Sequence, residues 1–298
     1  MSSTAAPRRE ERIDFIGIGA PRSGTTWLSE CLREHPQVLL SHDKELHFFT
    51  RGIRHGEGTA GHTAYARGLA WYLDQFPSAE PGKIRGEFSP AYLRDTESAA
   101  RIRAAFPEVK IIAMFRDPAD MIYSFYWFLR YRSPHRVAFR EAIERGDYLT
   151  NGRYHTNLQP FLERFPRERV LILFYDDVRS DPVRVFATTC RFLGVRDDLR
   201  PPSLTRRVNA ANRSRASALS VTLRKAAARV ARSSVGRALI RTFLQSPLYR
   251  FYRRTLFSGD AYPPMEAADR AWLVRHFHDE IVKLEGLTGR DLSSWRTA

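Results

Sequence analysis

Cysteine is nearly absent: the 298-residue chain has two, Cys31 and Cys190. Neither sits in a CxxC or Cys/His spacing, so neither a disulfide framework nor a zinc site is expected. Long apolar runs are missing too; none approaches the ~18 residues that a membrane span needs. The first twelve residues are Ser/Ala/Arg/Glu-rich and hold no apolar stretch of the kind a secretory signal requires, so the expected location is cytoplasmic. Acidic residues are absent over one long stretch. Between Leu199 and Gly259 there are 14 Lys/Arg and no Asp or Glu. The chain as a whole carries 48 Lys+Arg against 33 Asp+Glu, a formal net charge of +15, so its remainder is close to neutral. Such a block points to an anionic partner: nucleic acid, a phosphorylated cofactor, an acidic substrate or a membrane surface.

What is present is the composition of a globular protein. With 43% hydrophobic and 27% charged residues, wholesale disorder is excluded, and the length suits one large domain or two small ones. Residues 1–12 read as a disordered tail. Near-continuous apolar runs at 13–19, 109–115 and 169–175, with a weaker one at 83–88, read as strands covered on both faces. Helical patterns lie between them at about 96–105, 119–131, 137–145, 155–165 and 182–193. Past Gly194 the texture changes. Pro201-Pro202 and Asn209–Arg215 are loop-like, a basic helical pattern runs from about Ser217 to Gln245, and 267–284 reads as an amphipathic helix with Trp272, Leu273, Phe277, Ile281 and Leu284 inward. One α/β domain over 13–298, with a helical extension from about 200, is the expected organisation.

The most informative segment is Gly19-Ala-Pro-Arg-Ser-Gly24-Thr-Thr26, which lies between a strand and a helix. Its GxxxxG spacing suits a loop that points backbone N–H groups at an anion, reinforced by the helix dipole. A nucleotide triphosphatase would continue Gly-Lys-Ser/Thr; here Thr25-Thr26 follows Gly24, and Arg22 is the only cation within the loop. A second segment, Ile111–Phe115 followed by Arg116-Asp117-Pro118 and then Ser124, places an arginine at a strand's carboxyl end. A hydroxyl lies two helical turns further on, and the pair can meet a phosphate dianion.

Together these segments resemble the sulfotransferase family. Pro21–Trp27 looks like its 5′-phosphosulfate loop, and Arg116 with Ser124 looks like its 3′-phosphate motif. Three further stretches are similar to the heparan-type Golgi branch and its bacterial relatives: His35-Pro36, Lys44-Glu-Leu-His-Phe-Phe49 and Gly86-Glu-Phe-Ser-Pro-Ala-Tyr92. The ending, Leu284–Trp295, also looks like that of bacterial members. The resemblance implies a P-loop-type three-layer α/β sandwich around a mainly parallel sheet. It also implies sulfonate transfer from 3′-phosphoadenosine 5′-phosphosulfate (PAPS) to an acceptor hydroxyl or amine, with no metal required.

Residue by residue, the resemblance implies that Ser23, Gly24, Thr25 and Thr26 hold the phosphosulfate. Arg22 neutralises charge on the bridging oxygen. Trp27 either faces the adenine or is a buried helix residue. Tyr175, and Arg213 or Arg215, are further expected donor contacts. Glu45 is the expected general base, with burial raising its pKa toward the working pH; His47 and Glu87 compete for the role. The ordinary reading of Glu87 is as partner to an arginine. Phe88 stands where heparan-type enzymes usually have lysine, which disfavours a polyanionic glycan acceptor and leans toward an apolar one. The acceptor is expected to be a small molecule or a glycan- or lipid-like compound, with no nucleic acid partner. The basic 199–259 block is surplus to the donor; it is a solvated face or a contact for a membrane surface or anion. Two other readings compete. One is a P-loop kinase or NTPase, against which the missing lysine counts. The other is a binding module for nucleic acid or membrane built on the basic helix.

Overall fold

The computed structural model describes residues 11–50, 64–130, 137–205 and 262–298. Five strands form one sheet: β1 (Phe15–Gly19), β2 (Val38–Leu40), β3 (Ile84–Phe88), β4 (Lys110–Phe115) and β5 (Val170–Phe174). All neighbours are parallel, in the order β2-β3-β1-β4-β5. The four apolar runs read as strands are β1, β3, β4 and β5. The short edge strand β2 has only three residues, too few for a periodic signal.

Side chains alternate across a strand, so each strand feeds two cores. Ile16 and Ile18 of β1, Ile111, Ala113 and Phe115 of β4, and Phe174 of β5 enter one. Phe15, Ile112, Met114 and Leu173 enter the other. The second is covered by α1 (Thr25–Arg33), through Leu28, Cys31 and Leu32, and by α8 (Pro182–Leu193), through Val185, Phe186 and Leu193. The first is covered by α3 (Ser98–Ala105), α4 (Pro118–Arg130), α6 (Tyr154–Leu162) and α9 (Ala267–Thr288). Shorter helices α2 (Gly68–Leu73), α5 (Phe139–Arg145) and α7 (Tyr175–Ser180) fill the connections. Helix, sheet and helix make three layers. The C-terminal helix α9 is not an appendage: Leu273, Phe277, Ile281 and Leu284 are buried in the first core, on the inward stripe read from the sequence. The basic pattern at 217–245 lies outside the described residues.

One local fit joins the two strands that carry the site. β1 and β3 pair Phe15 with Gly86 and Gly17 with Phe88. Each phenylalanine lies over its partner's glycine, and the two rings meet edge-on at 6.0 Å. A Cβ at Gly17 would come 2.0 Å from the Phe88 ring, and one at Gly86 2.4 Å from the Phe15 ring. The glycines are required by this close approach, not by backbone conformation. Phe88 is therefore a core residue, 2% exposed. Its ring belongs to the core, so what bears on an acceptor at this position is the missing lysine charge and not the phenylalanine surface.

Gly17→Ala should destabilise the protein by about 1–3 kcal/mol through overpacking. The loss should be partly recovered in the Gly17→Ala/Phe88→Leu double variant, since contacting positions couple. Urea midpoints of the two singles and the double measure this; strictly additive losses would contradict the fit.

Candidate active site

Parallel sheets bind ligands beyond the carboxyl ends of their strands, where the connections leave in opposite directions. Here that place is the end of β1. The chain goes from β1 toward β2 and β3 on one side, and β4 and β5 lie on the other. The loop leaving β1 turns tightly. Arg22 has φ 56° and Gly24 φ 97°, and a Cβ on Gly24 would sit 2.9 Å from both Met114 Sδ and Tyr175 Cδ2. Only glycine fits so close to Met114 of β4 and Tyr175 at the head of α7. Ser23 is fully buried and its hydroxyl donates back to the Pro21 carbonyl at 3.2 Å. Helix α1 starts at Thr25 with no side-chain cap and no acid in its first turn. Its leading N–H groups are thus left for an exogenous anion.

Two guanidinium groups converge on this loop. Arg22 Nε donates to Ser124 Oγ at 3.1 Å, and its guanidinium lies 4.9 Å from the Phe128 ring centroid. Among the described residues no carboxylate pairs with it. Burial pushes the Arg22 pKa down; the nearby Arg116 charge does the same, while Tyr262, Tyr175 and Glu45 oppose them. Arg116, immediately past β4, donates to Asp120 at 3.2 Å and lies 5.3 Å from the Tyr175 ring centroid. Loop, Arg116, Ser124 and Tyr175 are thus brought together as the sequence predicts.

Three contributors were missed. Asp120 orients Arg116 and also accepts from Arg270 of α9 at 3.1 Å; Arg270 reaches Asp117 at 2.8 Å as well. Tyr154, stacked on Phe115 at 4.6 Å, is buried, which pushes its hydroxyl pKa up, with Ser23 opposing. Asp120 could have been found from its four-residue spacing to Arg116. Arg270, 150 residues away, left no local signal.

The second half of the site is the segment after β2. Glu45 (φ 66°) and His47 (φ 51°) both adopt left-handed backbone conformations. Phe48 and Phe49 turn into the first core, at 1% and 0% exposure. Lys44 Nζ donates to Glu45 Oε1 at 2.7 Å, and His47 Nε2 lies 3.6 Å from Glu45 Oε2. Glu45 is among the charges that oppose the lowering of the Arg22 pKa, so this segment and the β1 loop lie within each other's electrostatic field. The expected upward shift of the Glu45 pKa is corrected. Burial does push it up, but His47 and Lys44 outweigh burial and hold the carboxyl down at about 2. Glu87 is not an exposed alternative: it is 0% exposed and accepts from Tyr72, Ser89 and Tyr92. Among the described residues no arginine hydrogen-bonds to it, and its partners are the three hydroxyls rather than the arginine of its ordinary reading. Trp27 is 5% exposed within the second core and donates to the Leu204 carbonyl at 3.4 Å, which makes it a packing residue rather than an open platform for a base. Arg213 and Arg215 lie outside the described residues.

Residues 12–214 match the family model described as "Sulfotransferase domain". The chain is 31% identical over 191 residues to mouse heparan sulfate glucosamine 3-O-sulfotransferase 3B1, covering 61% of this chain and 46% of that protein. It is 30% identical over 207 residues to human bifunctional heparan sulfate N-deacetylase/N-sulfotransferase 3, covering 61% and 22%. The matched region spans less than half the length of these relatives. Among solved structures, a sulfotransferase from Alicyclobacillus acidocaldarius superposes with a TM-score of 0.71 over 96% of this chain and 99% of that one, at 24% identity, a likeness of fold. No helix among the described residues is long and apolar enough to cross a membrane. The family match, covering well over half of the chain, agrees with the parallel sheet and the glycine-bearing loop beside which Arg116 and the Arg22–Ser124 hydrogen bond lie: the chain belongs to the sulfotransferase domain family.

Proposed function

We propose that this protein transfers a sulfonate group from PAPS to an acceptor hydroxyl or amine, leaving adenosine 3′,5′-bisphosphate. The observation that carries the reading is the meeting of Arg22, Arg116 and Ser124 at the β1 loop, with no carboxylate among the described residues paired to Arg22. PAPS bears its negative charge in two places, and the site offers donors in two. The N–H groups of Ser23–Thr26 receive the 5′-phosphosulfate. Arg116 and the Ser124 O–H, which donates to no described protein group, receive the 3′-phosphate. Asp120 keeps Arg116 extended toward that position.

In the transfer step the acceptor oxygen or nitrogen attacks sulfur as the bond from sulfur to the bridging phosphate oxygen breaks. Arg22 stabilises the charge that develops on that oxygen. A guanidinium holds its proton at neutral pH, so its part is electrostatic. Glu45 takes the acceptor proton, with His47 beside it as the alternative group. Held ionised by Lys44 and His47, Glu45 is available as an acceptor throughout the neutral range, and the acceptor's arrival excludes water from the carboxylate and strengthens it as a base. The acceptor's identity is sought with a panel that includes sulfated glucosamine oligosaccharides and apolar alcohols.

Two outcomes are expected. Adenosine 3′,5′-bisphosphate without metal should stabilise the protein, by about 2.7 kcal/mol at a hundredfold excess over Kd. ATP with Mg²⁺ should do less, and Arg116→Ala should weaken the bisphosphate about 10- to 100-fold. Thermal denaturation with each ligand measures this; ATP·Mg²⁺ stabilising more would favour the kinase reading.

The second outcome concerns Glu45. Its carboxyl carbon, followed by NMR, should not shift between pH 6 and pH 4 in the wild-type protein, because its pKa lies at about 2. Lys44→Met removes a cation that favours the charged form, so the pKa should climb toward the ordinary ~4.3 and titration should begin in that window. The stabilisation from this pairing is present above the unfolded-state pKa and is lost as pH falls toward about 2. An unchanged titration in Lys44→Met would contradict the assigned cause.

A further inference from the structure

Glu87 sits on β3 with no exposure and, among the described residues, no cation in hydrogen-bonding contact. A buried carboxylate is costly, and an apolar residue of similar volume is commonly as stabilising. Its surroundings explain what an apolar residue there could not do. Ser89 Oγ donates to Glu87 Oε2 at 2.7 Å, Tyr92 Oη to Oε1 at 2.7 Å, and Tyr72 Oη to Oε1 at 3.0 Å. A hydroxyl has a single proton. Once Ser89 and Tyr92 have given theirs to Glu87, their oxygens can only accept from the other side.

Both do accept, and from consecutive backbone groups. The His47 N–H donates to Ser89 Oγ at 3.0 Å and the Phe48 N–H to Tyr92 Oη at 3.0 Å. A third bond, from the Glu45 N–H to the Phe88 carbonyl at 3.0 Å, ties the same segment to the end of β3. Phe48 stacks on Tyr72, the remaining hydroxyl donor, with ring centroids 4.8 Å apart. The suspended segment contains the two left-handed residues, Glu45 and His47. Such backbone conformations persist when the surroundings over-determine them.

We infer that Glu87 is a positioning residue: it sets the proton direction of Ser89 and Tyr92, so that their oxygens hold the His47 and Phe48 N–H groups and thereby aim Glu45 and His47 at the acceptor. The inference rests on the reading of Glu45 and His47 as the acceptor-side groups. Burial pushes the Glu87 carboxyl up and the three hydroxyls pull it back, in keeping with an acceptor whose partners are all donors. Replacing the carboxylate with an amide sets an NH₂ donor against one of those donors. That hydroxyl must then turn its proton toward a backbone N–H, and one of the two suspending bonds is lost.

The test compares wild-type protein with Glu87→Gln, Ser89→Ala, Ser89→Thr and Tyr92→Phe. Two readouts are used: amide hydrogen exchange resolved at His47 and Phe48, and steady-state transfer of labelled sulfonate from PAPS across the acceptor panel. Glu87→Gln should speed exchange at one or both amides. It should lower kcat about 10- to 100-fold, as small misplacements of reacting groups do, while the KM for PAPS changes by less than about twofold. Ser89→Ala should speed exchange at His47 and Tyr92→Phe at Phe48; Ser89→Thr, which restores the hydroxyl, should rescue both exchange and kcat. Wild-type exchange and wild-type kcat in a folded Glu87→Gln overturn the inference. Should that variant not fold, Ser89→Ala with unaltered exchange at His47 overturns it instead. If wild-type protein fails to bind adenosine 3′,5′-bisphosphate, the donor-site reading falls, and the exchange data still decide whether Glu87 suspends the segment.

Discussion

The organising constraint is electrostatic. Arg22 and Arg116 stand in each other's field at the carboxyl end of the sheet, where burial weakens hydration of both. Arg116 shares Asp120 with Arg270, while Arg22 leans on a neutral serine and an aromatic face. Bringing like charges together in a partly desolvated place is unfavourable unless an anion joins them. The fold meets the cost through rigid surroundings: a parallel sheet buried on both faces, a glycine that admits the loop against Met114 and Tyr175, and α9 fastened to the head of α4. On the proposed reading the site is thereby preorganised for an anion rather than formed by it.

Two carboxylates on neighbouring segments show how environment divides labour. Glu45 is about half exposed, touched by Lys44 and His47, and stays ionised. Glu87 is enclosed, meets hydroxyls alone among the described residues, and works through the backbone that carries Glu45. The Lys44–Phe49 stretch therefore combines opposite tendencies in six residues, charge outward at its start and two aromatic anchors inward at its end. The anchors and the hydroxyl-bound N–H groups fix where the charged end can go.

The parts legible in the sequence are those with a local signal. Glycine spacing after an apolar run marked the tight loop that leaves β1. An arginine followed by a serine eight residues on marked two side chains that the fold brings beside Arg22, and 3.6-residue periodicity marked α9. Tertiary effects were not legible. The Phe88 ring could have faced solvent or core, and the choice is made by Gly17 on the adjacent strand. The Glu45 shift depends on whether burial or Lys44 and His47 prevails, which is a matter of distances. Trp27, on a helix that borders the site, lies on the side of α1 that packs inward. The hydroxyl chain under Glu87 joins residues 72, 87, 89 and 92 to 47 and 48, a geometry without sequence periodicity.

The central claim is that Arg116 and Ser124 read a 3′-phosphate while the β1 loop holds the 5′ group. Calorimetric titration of adenosine 3′,5′-bisphosphate against adenosine 5′-monophosphate tests it most directly, since the two ligands differ only in that phosphate. The predicted result is tighter binding of the bisphosphate by about 10- to 100-fold, the worth of charge-assisted hydrogen bonds to one phosphate, with the advantage largely abolished in Arg116→Ala. Equal affinities for the two nucleotides in the wild-type protein would contradict it.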